Sequence, residues 1–328
     1  MDTLMFQRAD IRRLLSIDEC MNAVERAFRL QGEGKLQPPK ILGFPAKDGA
    51  FHIKAGLLES GREYFVAKIN ANFPSNTKKF ALPTIQGVIA LYDATNGRLL
   101  ALMDSIEITI LRTGAATGLA AKYLSLPDST VMTICGCGNQ GRISLKVLMK
   151  VRGIKRCFAY DADASQTKKF VLEFNSVLET IPITREELSV AISQSQVVVT
   201  CTPSSKPYID STDISAGTFI AAVGADSEGK HELFPELVAS GKIVVDLLEQ
   251  AATIGDLHYA LEKKLISVDY VHAELGNIIA GKKPGRESTA EVIIFDSTGL
   301  AIQDAAAAVV VFENGLAAGL GKEFNFQN

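Results

Sequence analysis

Val131-Met132-Thr133-Ile134-Cys135-Gly136-Cys137-Gly138-Asn139-Gln140-Gly141 places an apolar strand directly before a Gly-x-Gly-x-x-Gly turn, and a helical stretch follows. That order is the one a dinucleotide site needs. Gly136 permits the tight turn, Gly138 lets the backbone approach a pyrophosphate, and Gly141 lets the helix pack on the strand, with the phosphates at the helix N-terminus. Asn139 and Gln140 complete the turn. Downstream, Arg156-Cys157-Phe158-Ala159-Tyr160 reads as a second strand ending at Asp161, about 20 residues past the glycines, where a carboxylate would accept the ribose 2′-hydroxyl. Asp161 is followed by Ala162 and Asp163, so a 2′-phosphate would meet negative charge, and NAD is expected rather than NADP. The competing reading is a glycine turn that binds nothing; strand, helix and acid together stand against it.

Working outward, 328 residues suffice for roughly two domains. A net charge of −3, with no Lys/Arg run, leaves no electrostatic footprint for nucleic acid and favours a small-molecule ligand. Charges fall within the first ten residues where a signal peptide needs an apolar core, and no stretch reads as long and apolar enough to span a bilayer, so the cytoplasm is the expected compartment. The five cysteines are odd in number and lie in expected helices, strands or the glycine turn, as buried thiols do. Cys135-x-Cys137 is too tight for a zinc knuckle and the four histidines show no ligand spacing, so no metal is expected.

Ser16-Ile17-Asp18-Glu19 is a capping box, and Ile17, Met21, Val24 and Phe28 follow at helical spacing until Gly32 and Gly34. Beyond Pro38-Pro39, segments around Ile41, 51–53, 64–69 and 87–92 read as strands, and Asn96-Gly97 signals a hairpin into 99–103. The N-terminal part is therefore expected to be a mainly antiparallel sheet with helices. An Ala/Leu-rich helix from Ser105 to about Leu124 carries Arg112 and bridges to the glycine-loop strand. Beyond Asp161, helices near 164–178 and 185–192 alternate with strands 196–201, 218–223, 242–246 and 291–295, which is the pattern of a doubly wound parallel sheet. A last Ala-rich helix, from Leu300 to about Leu316, is expected to return to the first domain.

In such a sheet, ligands bind at the carboxyl ends of the strands. Thr202-Pro203-Ser204, Val223-Gly224-Ala225-Asp226 and Ser297-Thr298-Gly299 follow three of them and could hold ribose, nicotinamide and substrate; for Ser204 and Ser297 a loop or cap role competes. A buried Asp226 would need a cation, such as a substrate ammonium. In the N-terminal part, Lys40, Lys54, Lys68 and His52 are candidate ligand groups, His52 and Lys54 sharing a strand face. Arg112 lies in an apolar stretch and calls for a carboxylate partner.

The chain resembles the ornithine cyclodeaminase/mu-crystallin family, and within it the archaeal alanine dehydrogenase branch. The resemblance runs through Pro38-Pro39-Lys40, Ala67-Lys68 to Pro74-x-Asn76, Leu82-Pro83-Thr84, Leu111-Arg112-Thr113-Gly114, the glycine loop, Thr202-Pro203-Ser204, Val223-Gly224-Ala225-Asp226 and Phe295-Asp296-Ser297-Thr298-Gly299-Leu300-Ala301-Ile302-Gln303-Asp304. It implies a homodimer, with a discontinuous α+β dimerisation and substrate domain at 1–112 and 307–328 around a Rossmann NAD-binding domain at 113–306. It also implies that Thr113 joins the cofactor set, that Lys68 and Arg112 grip a substrate carboxylate and that Lys40 assists or polarises a carbonyl. Thr84 would line the pocket and Asp226 would handle the α-nitrogen and its protons.

One strand departs from the family pattern: where relatives commonly end in Met-Pro, this chain reads His52-Ile53-Lys54-Ala55-Gly56. His52 stands where the dehydrogenase branch has Arg and the cyclodeaminase branch Glu. A Glu there could hold a distal ammonium, so its absence argues against ornithine cyclisation; His52 and Lys54 could instead accept an acidic or polar side-chain group, or Lys54 could simply face solvent.

The expected function is an NAD-dependent oxidoreductase acting on the Cα–N bond of a small L-amino acid or its imino or cyclic imine form. The alternatives are a cyclodeaminase that uses NAD catalytically and a nicotinamide-nucleotide binding protein with little catalysis.

Overall fold

The computed structural model describes residues 2–326. The chain divides into two compact units, Met1–Arg112 with Leu300–Asn328, and Thr113–Gly299.

In chain order the first unit begins with β1 (Thr3–Phe6), α1 (Arg8–Leu14) and α2 (Ile17–Gly32). The capping box forms as read: the Ser16 hydroxyl accepts from the Glu19 amide and the Glu19 carboxylate accepts from the Ser16 amide, satisfying donors that a helix start leaves open. Then come β2 (Lys40–Ala46), β3 (Gly49–Ser60), β4 (Arg62–Asn72), α3 (Asn76–Phe80), β5 (Ile85–Asp93) and β6 (Leu99–Asp104), and α4 (Ser105–Leu124) carries the chain into the second unit. Gly97, at φ 76°, makes the turn between β5 and β6.

The second unit contains β7 (Val131–Cys135), α5 (Asn139–Val151), β8 (Arg156–Tyr160), α6 (Ala164–Phe174), β9 (Glu179–Pro182), α7 (Leu188–Ser193), β10 (Val197–Thr200) and β11 (Phe219–Ala222). It continues through α8 (Pro235–Ser240), β12 (Lys242–Val245), α9 (Leu248–Ala251), α10 (Asp256–Glu262), β13 (Ala273–Glu274), α11 (Leu275–Ile279) and β14 (Ile293–Asp296). All pairings are parallel, in the order β13-β12-β14-β11-β10-β7-β8-β9. The strands β10, β11 and β14 are buried at every position, as a sheet covered on both faces requires. Chain order reverses between β7 and β10, so this unit has the doubly wound fold, with its switch point at the glycine loop. The helix expected to reach 178 stops at Phe174, because Glu179–Pro182 pairs with β8 as an edge strand where Pro182 is tolerated.

The chain ends with α12 (Ala301–Ala318) and β15 (Lys322–Phe324), both in the first unit. The expected return at 307 comes earlier, at Leu300, because Gln303 and Asp304 on the first turn of α12 bond to Arg112. The sheet order is β15-β1-β6-β5-β4-β3-β2, antiparallel except for β1 against β6. By length and composition α12 is apolar enough to cross a membrane, contrary to the sequence reading; in this fold it packs against α2, β3 and β4.

The two faces of this sheet differ. Cross-strand neighbours share a face, and the face under α12 carries the core residues Leu58, Tyr64, Val66, Ile89 and Leu91 together with Lys54 and Lys68. The other face presents Leu42, Phe44, Phe51, Ile69 and Val88, all more than a third exposed.

Candidate active site

In the second unit the residues expected to hold a dinucleotide gather at the carboxyl ends of five neighbouring strands, β8, β7, β10, β11 and β14. Each glycine has a distinct reason to lack a side chain. Gly136 sits at φ 106°, and a Cβ there would lie 2.9 Å from the Cys201 carbonyl oxygen. At Gly141 a Cβ would lie 2.0 Å from the Gly136 oxygen, so close packing of helix on turn forbids one. Gly138 is the helix N-cap and has open space around it, which leaves room for a phosphate to reach the backbone. Asn139 is exposed, whereas the Gln140 Oε1 is buried and has no protein partner, an acceptor that a ligand donor would satisfy.

Asp161 ends β8 beside this turn. Its Oδ2 accepts from the Cys137 amide at 2.8 Å and its Oδ1 from the Asp163 amide at 2.9 Å, so the acid also ties the glycine loop in place. Thr113 is buried in α4, its carbonyl accepting from the Thr117 hydroxyl.

The loops after β10 and β11 are joined by a residue that lies in a matching stretch, Lys230-x-Glu232-Leu233, but was given no role from the sequence. Glu232 is fully buried and its carboxylate accepts four hydrogen bonds: Thr202 N and Oγ1 at 2.8 and 2.7 Å, Tyr208 Oη at 2.8 Å and Gly224 N at 2.9 Å. Burial raises its carboxyl above the ordinary range and the Thr202 and Tyr208 donors oppose that. A Cβ on Gly224 would lie 2.2 Å from Glu232 Oε2, so the glycine is what admits the carboxylate. Pro203 is exposed and the Ser204 hydroxyl donates to the Lys206 carbonyl, while Val223 and Ala225 are buried beside Gly224. Likewise Asp246 holds the loop after β14, accepting from Gly299 N at 2.6 Å, Thr298 Oγ1 at 2.8 Å and Ser297 Oγ at 3.5 Å. Ser297 and Gly299 thus have structural partners at the strand end, as the loop reading of Ser297 allowed.

Asp226 is not buried in this structure. Its side chain is 51% exposed and forms an ion pair with Lys230 on the same loop.

In the first unit the structure brings Lys54, Lys68 and Arg112 together around Asp304, a second residue that motif reading did not single out as functional. The strand register pairs Lys54 with Lys68 across β3 and β4. Lys68 Nζ lies 2.6 Å from Asp304 Oδ2, and Arg112 Nε lies 3.0 Å from Asp304 Oδ1. Asp304 is thus the carboxylate partner expected for Arg112, which also donates to the Gln303 amide Oε1 at 2.9 Å. Every member is buried: Lys54 is 8% exposed, Lys68 3%, Arg112 6%, Asp304 and Gln303 0%. Burial brings the Lys68 ammonium down to about 7, Asp304 pulling it up and Arg112 and Lys54 pushing it further down. Burial would raise the Asp304 carboxyl, but Lys68, Arg112 and Lys54 hold it below its ordinary range.

Lys54 does not face solvent. His52 shares its face two positions along β3, opposite Asn70. Lys40, by contrast, is exposed and pairs with Ala55, so the register puts it on the opposite face from Lys54 and Lys68. Thr84 lies just before β5, its hydroxyl 3.5 Å from that of Thr77, and is not part of the cation cluster. The five cysteines are unpaired thiols, and burial raises those of Cys20, Cys135, Cys137, Cys157 and Cys201. Among the described residues no group of three or more His, Cys, Asp or Glu side chains is placed to hold a metal ion.

Three solved structures are similar along nearly the whole chain. An archaeal alanine dehydrogenase dimer with bound NAD superposes with a TM-score of 0.94 at 41% identity, over 99% of this chain and 100% of that one. The Thermococcus litoralis Δ1-pyrroline-2-carboxylate reductase, in complex with NADH and L-proline, gives 0.92 at 34%, over 98% and 100%. The iminosuccinate reductase of Paracoccus denitrificans, in complex with NAD+, gives 0.89 at 28%, over 99% and 100%. The family model for ornithine cyclodeaminase/mu-crystallin proteins matches residues 1–319. With the doubly wound unit, the glycine loop and this match in hand, the chain belongs to the ornithine cyclodeaminase/mu-crystallin family.

Proposed function

We propose that this protein is an NAD-dependent oxidoreductase that interconverts an L-amino acid with its imino or cyclic imine form. The observation that carries the reading is the buried Lys68–Arg112–Asp304 cluster, since nucleotide binding alone needs no cations sealed under α12. In this reading Lys68 and Arg112 grip the substrate α-carboxylate with charge-assisted hydrogen bonds, fixing Cα. NAD, when bound, takes up or returns a hydride at its nicotinamide ring. Gly136, Gly138, Gly141 and Asp161 hold the dinucleotide, and Glu232 sets the loops that carry Thr202 and Gly224. Asp226 exchanges protons with the α-nitrogen and offsets the iminium charge when its ion pair with Lys230 opens. Lys40 and Thr84 take no direct part.

The relatives' substrates fall into two kinds, since pyrroline-2-carboxylate and alanine carry one carboxylate and iminosuccinate carries two. Ornithine cyclisation fits less well, because a distal ammonium would meet Lys54. The apolar face formed by Leu42, Phe44, Phe51, Ile69 and Val88 supports a homodimer through this sheet, as a patch of that kind needs a cover.

A screen of L-amino acids with NAD, and of 2-oxo acids plus ammonia or methylamine with NADH, tests the reading. Steady, stoichiometric turnover of nicotinamide on one substrate class is the expected result. Ammonia release with no net NADH would identify a cyclodeaminase, and NAD binding with no turnover on any amino or imino acid would leave a nucleotide-binding protein.

A further inference from the structure

Lys68 and Arg112, the two cations read above as the carboxylate grip, come from different elements, β4 and α4, and both are tied to the first turn of α12. Asp304 spends one oxygen on each: Oδ2 on Lys68 Nζ at 2.6 Å and Oδ1 on Arg112 Nε at 3.0 Å. Its neighbour Gln303 accepts from Arg112 Nη1 through Oε1 at 2.9 Å. A guanidinium is planar, so bonds at Nε and Nη1 fix its plane and leave Nη2 outside the α12 pair.

One carboxylate shared by two cations orders both but cancels the charge of only one. Lys68, Arg112 and Asp304 together keep one positive charge, the complement of a single carboxylate. Gln303 fits that balance because its acceptor is neutral. The amide is also costly: Gln303 is fully buried and its Nε2 has no partner among the described residues, whereas an apolar side chain of similar shape would bury no orphaned donor. A residue serving only to pack α12 gains nothing from that amide; what the amide supplies is an acceptor for Arg112.

We propose that Asp304 and Gln303 are positioning residues for substrate capture, holding Lys68 and Arg112 pre-oriented, with one positive charge in surplus, for the α-carboxylate of an amino or imino acid. This rests on the oxidoreductase reading above and adds to it the two residues that make the cations ready before substrate arrives. Asp304 also keeps Lys68 charged. Burial lowers the Lys68 ammonium to about 7, and Asp304 raises it against Arg112 on α4 and Lys54 on β3. His52 lies on the same strand face two positions from Lys54, and the Cys20 thiol of α2, raised to about 12 by burial, stays neutral.

The experiment uses the whole protein at saturating NAD, with the L-amino acid that wild type turns over fastest in a full set including L-alanine, L-proline and L-aspartate. Wild type is compared with Gln303→Met and Asp304→Asn. In Gln303→Met the KM for the amino acid is expected to rise about tenfold or more while kcat stays within about threefold, because the guanidinium loses a charge-assisted bond that orients it. NADH affinity in a fluorescence titration is expected to be unchanged. In Asp304→Asn the same rise in KM is expected, together with a shift of the pH profile. Capture requires the Lys68 ammonium, so wild-type kcat/KM, which reports the free enzyme, carries an ionisation near pH 7 that lowers it as pH rises. Without the carboxylate that raises Lys68, this ionisation moves to lower pH by about one unit or more, and Gln303→Met leaves it in place. Should Asp304→Asn fail to fold, Gln303→Met decides alone. Unchanged KM with a lowered Tm overturns the proposal and makes the pair a staple between α12, α4 and β4. A fall in kcat at unchanged KM also overturns it, by moving the effect to the chemistry. Intact NADH binding with no turnover of any amino or imino acid by wild type overturns the oxidoreductase reading instead, and this proposal with it.

Discussion

The strand ends of the second unit and the cation face of the first solve opposite problems. Around the glycine loop, charged side chains are consumed by the protein itself: Glu232 accepts four internal hydrogen bonds, and Asp246 ties down the loop after β14. What remains for a ligand there is mainly backbone, exposed by glycines. Around Asp304 the side chains themselves carry the polarity, with three cations, one carboxylate and an amide whose donor has no protein partner. One region is a scaffold holding backbone in position; the other is a concentration of charge held in place by packing.

The largest effect should come from breaking the charge cluster. Asp304→Ala leaves Lys68 and Arg112 buried beside no mutual carboxylate, and removing one partner of a buried ion pair costs about 3–5 kcal/mol. Chemical unfolding of wild type and variant measures this. A loss below about 1 kcal/mol would mean that water reaches the cluster and that its charges are not sealed.

The corresponding break on the scaffold side should weaken cofactor binding more than the chemistry. Glu232→Gln keeps the shape but offers an amide N–H₂ where the backbone and hydroxyl donors need acceptors, forfeiting charge-assisted bonds of about 1.5–3 kcal/mol each. NAD affinity is expected to fall about tenfold or more, while kcat at saturating NAD stays within about threefold, a split that a loss of general stability would not produce. Unchanged NAD affinity would remove Glu232 from the role of loop clamp.

A smaller effect separates the two jobs of Asp161. Because its oxygens accept from the Cys137 and Asp163 amides, Asp161→Ser loosens the glycine loop for any dinucleotide. Only NAD also loses its ribose acceptor, and only NADP is relieved of a repelling charge. The ratio of the two affinities should therefore shift towards NADP by about tenfold or more. Parallel losses in titrations of both cofactors would reduce Asp161 to a loop tie.

The contrast between the regions also explains what was legible in the chain. The glycine loop and its acid lie within about 30 contiguous residues, and hydrophobic runs for fully buried strands are conspicuous, so the doubly wound fold and the candidate dinucleotide site could be read directly. The capping box and the 105–124 helix were equally local. The cation cluster draws on residues 54, 68, 112 and 304, which meet only through the β3–β4 register and the packing of α12. Spacing along the chain carries no trace of that meeting, so Asp304 and Gln303 went unassigned and Lys40 was grouped with lysines on the other face. Short strands such as Thr3–Phe6 and Lys322–Phe324 were missed because pairing with distant partners, not composition, makes them strands.

The smallest expected effect concerns two acids behind the scaffold loops. Asp256 and Asp296 are both fully buried; Asp256 Oδ1 accepts from the Glu232 and Leu233 amides and Asp296 Oδ2 from the Leu257 amide, while the other oxygen of each has no partner. Burial, with the Glu232 charge adding to it, raises Asp256 from 3.8 to about 7, and burial with Asp256 nearby raises Asp296 well above its ordinary value. The folded protein therefore keeps a proton on Asp256 that the unfolded chain has already released. Its contribution to stability is present below about pH 4, is lost progressively as pH climbs towards about 7, and is level above that. Asp256→Asn keeps the Oδ1 acceptor, replaces the orphaned oxygen with a donor and has no proton to lose. Relative to wild type, the variant should gain stability between pH 5 and pH 8, by about 1–2 kcal/mol at the higher pH, which is a rise of a few degrees in Tm. Thermal unfolding at the two pH values checks it. A variant whose Tm runs parallel to wild type across that range would show that the carboxyl is ionised in the folded protein, and that the scaffold keeps this buried acid charged.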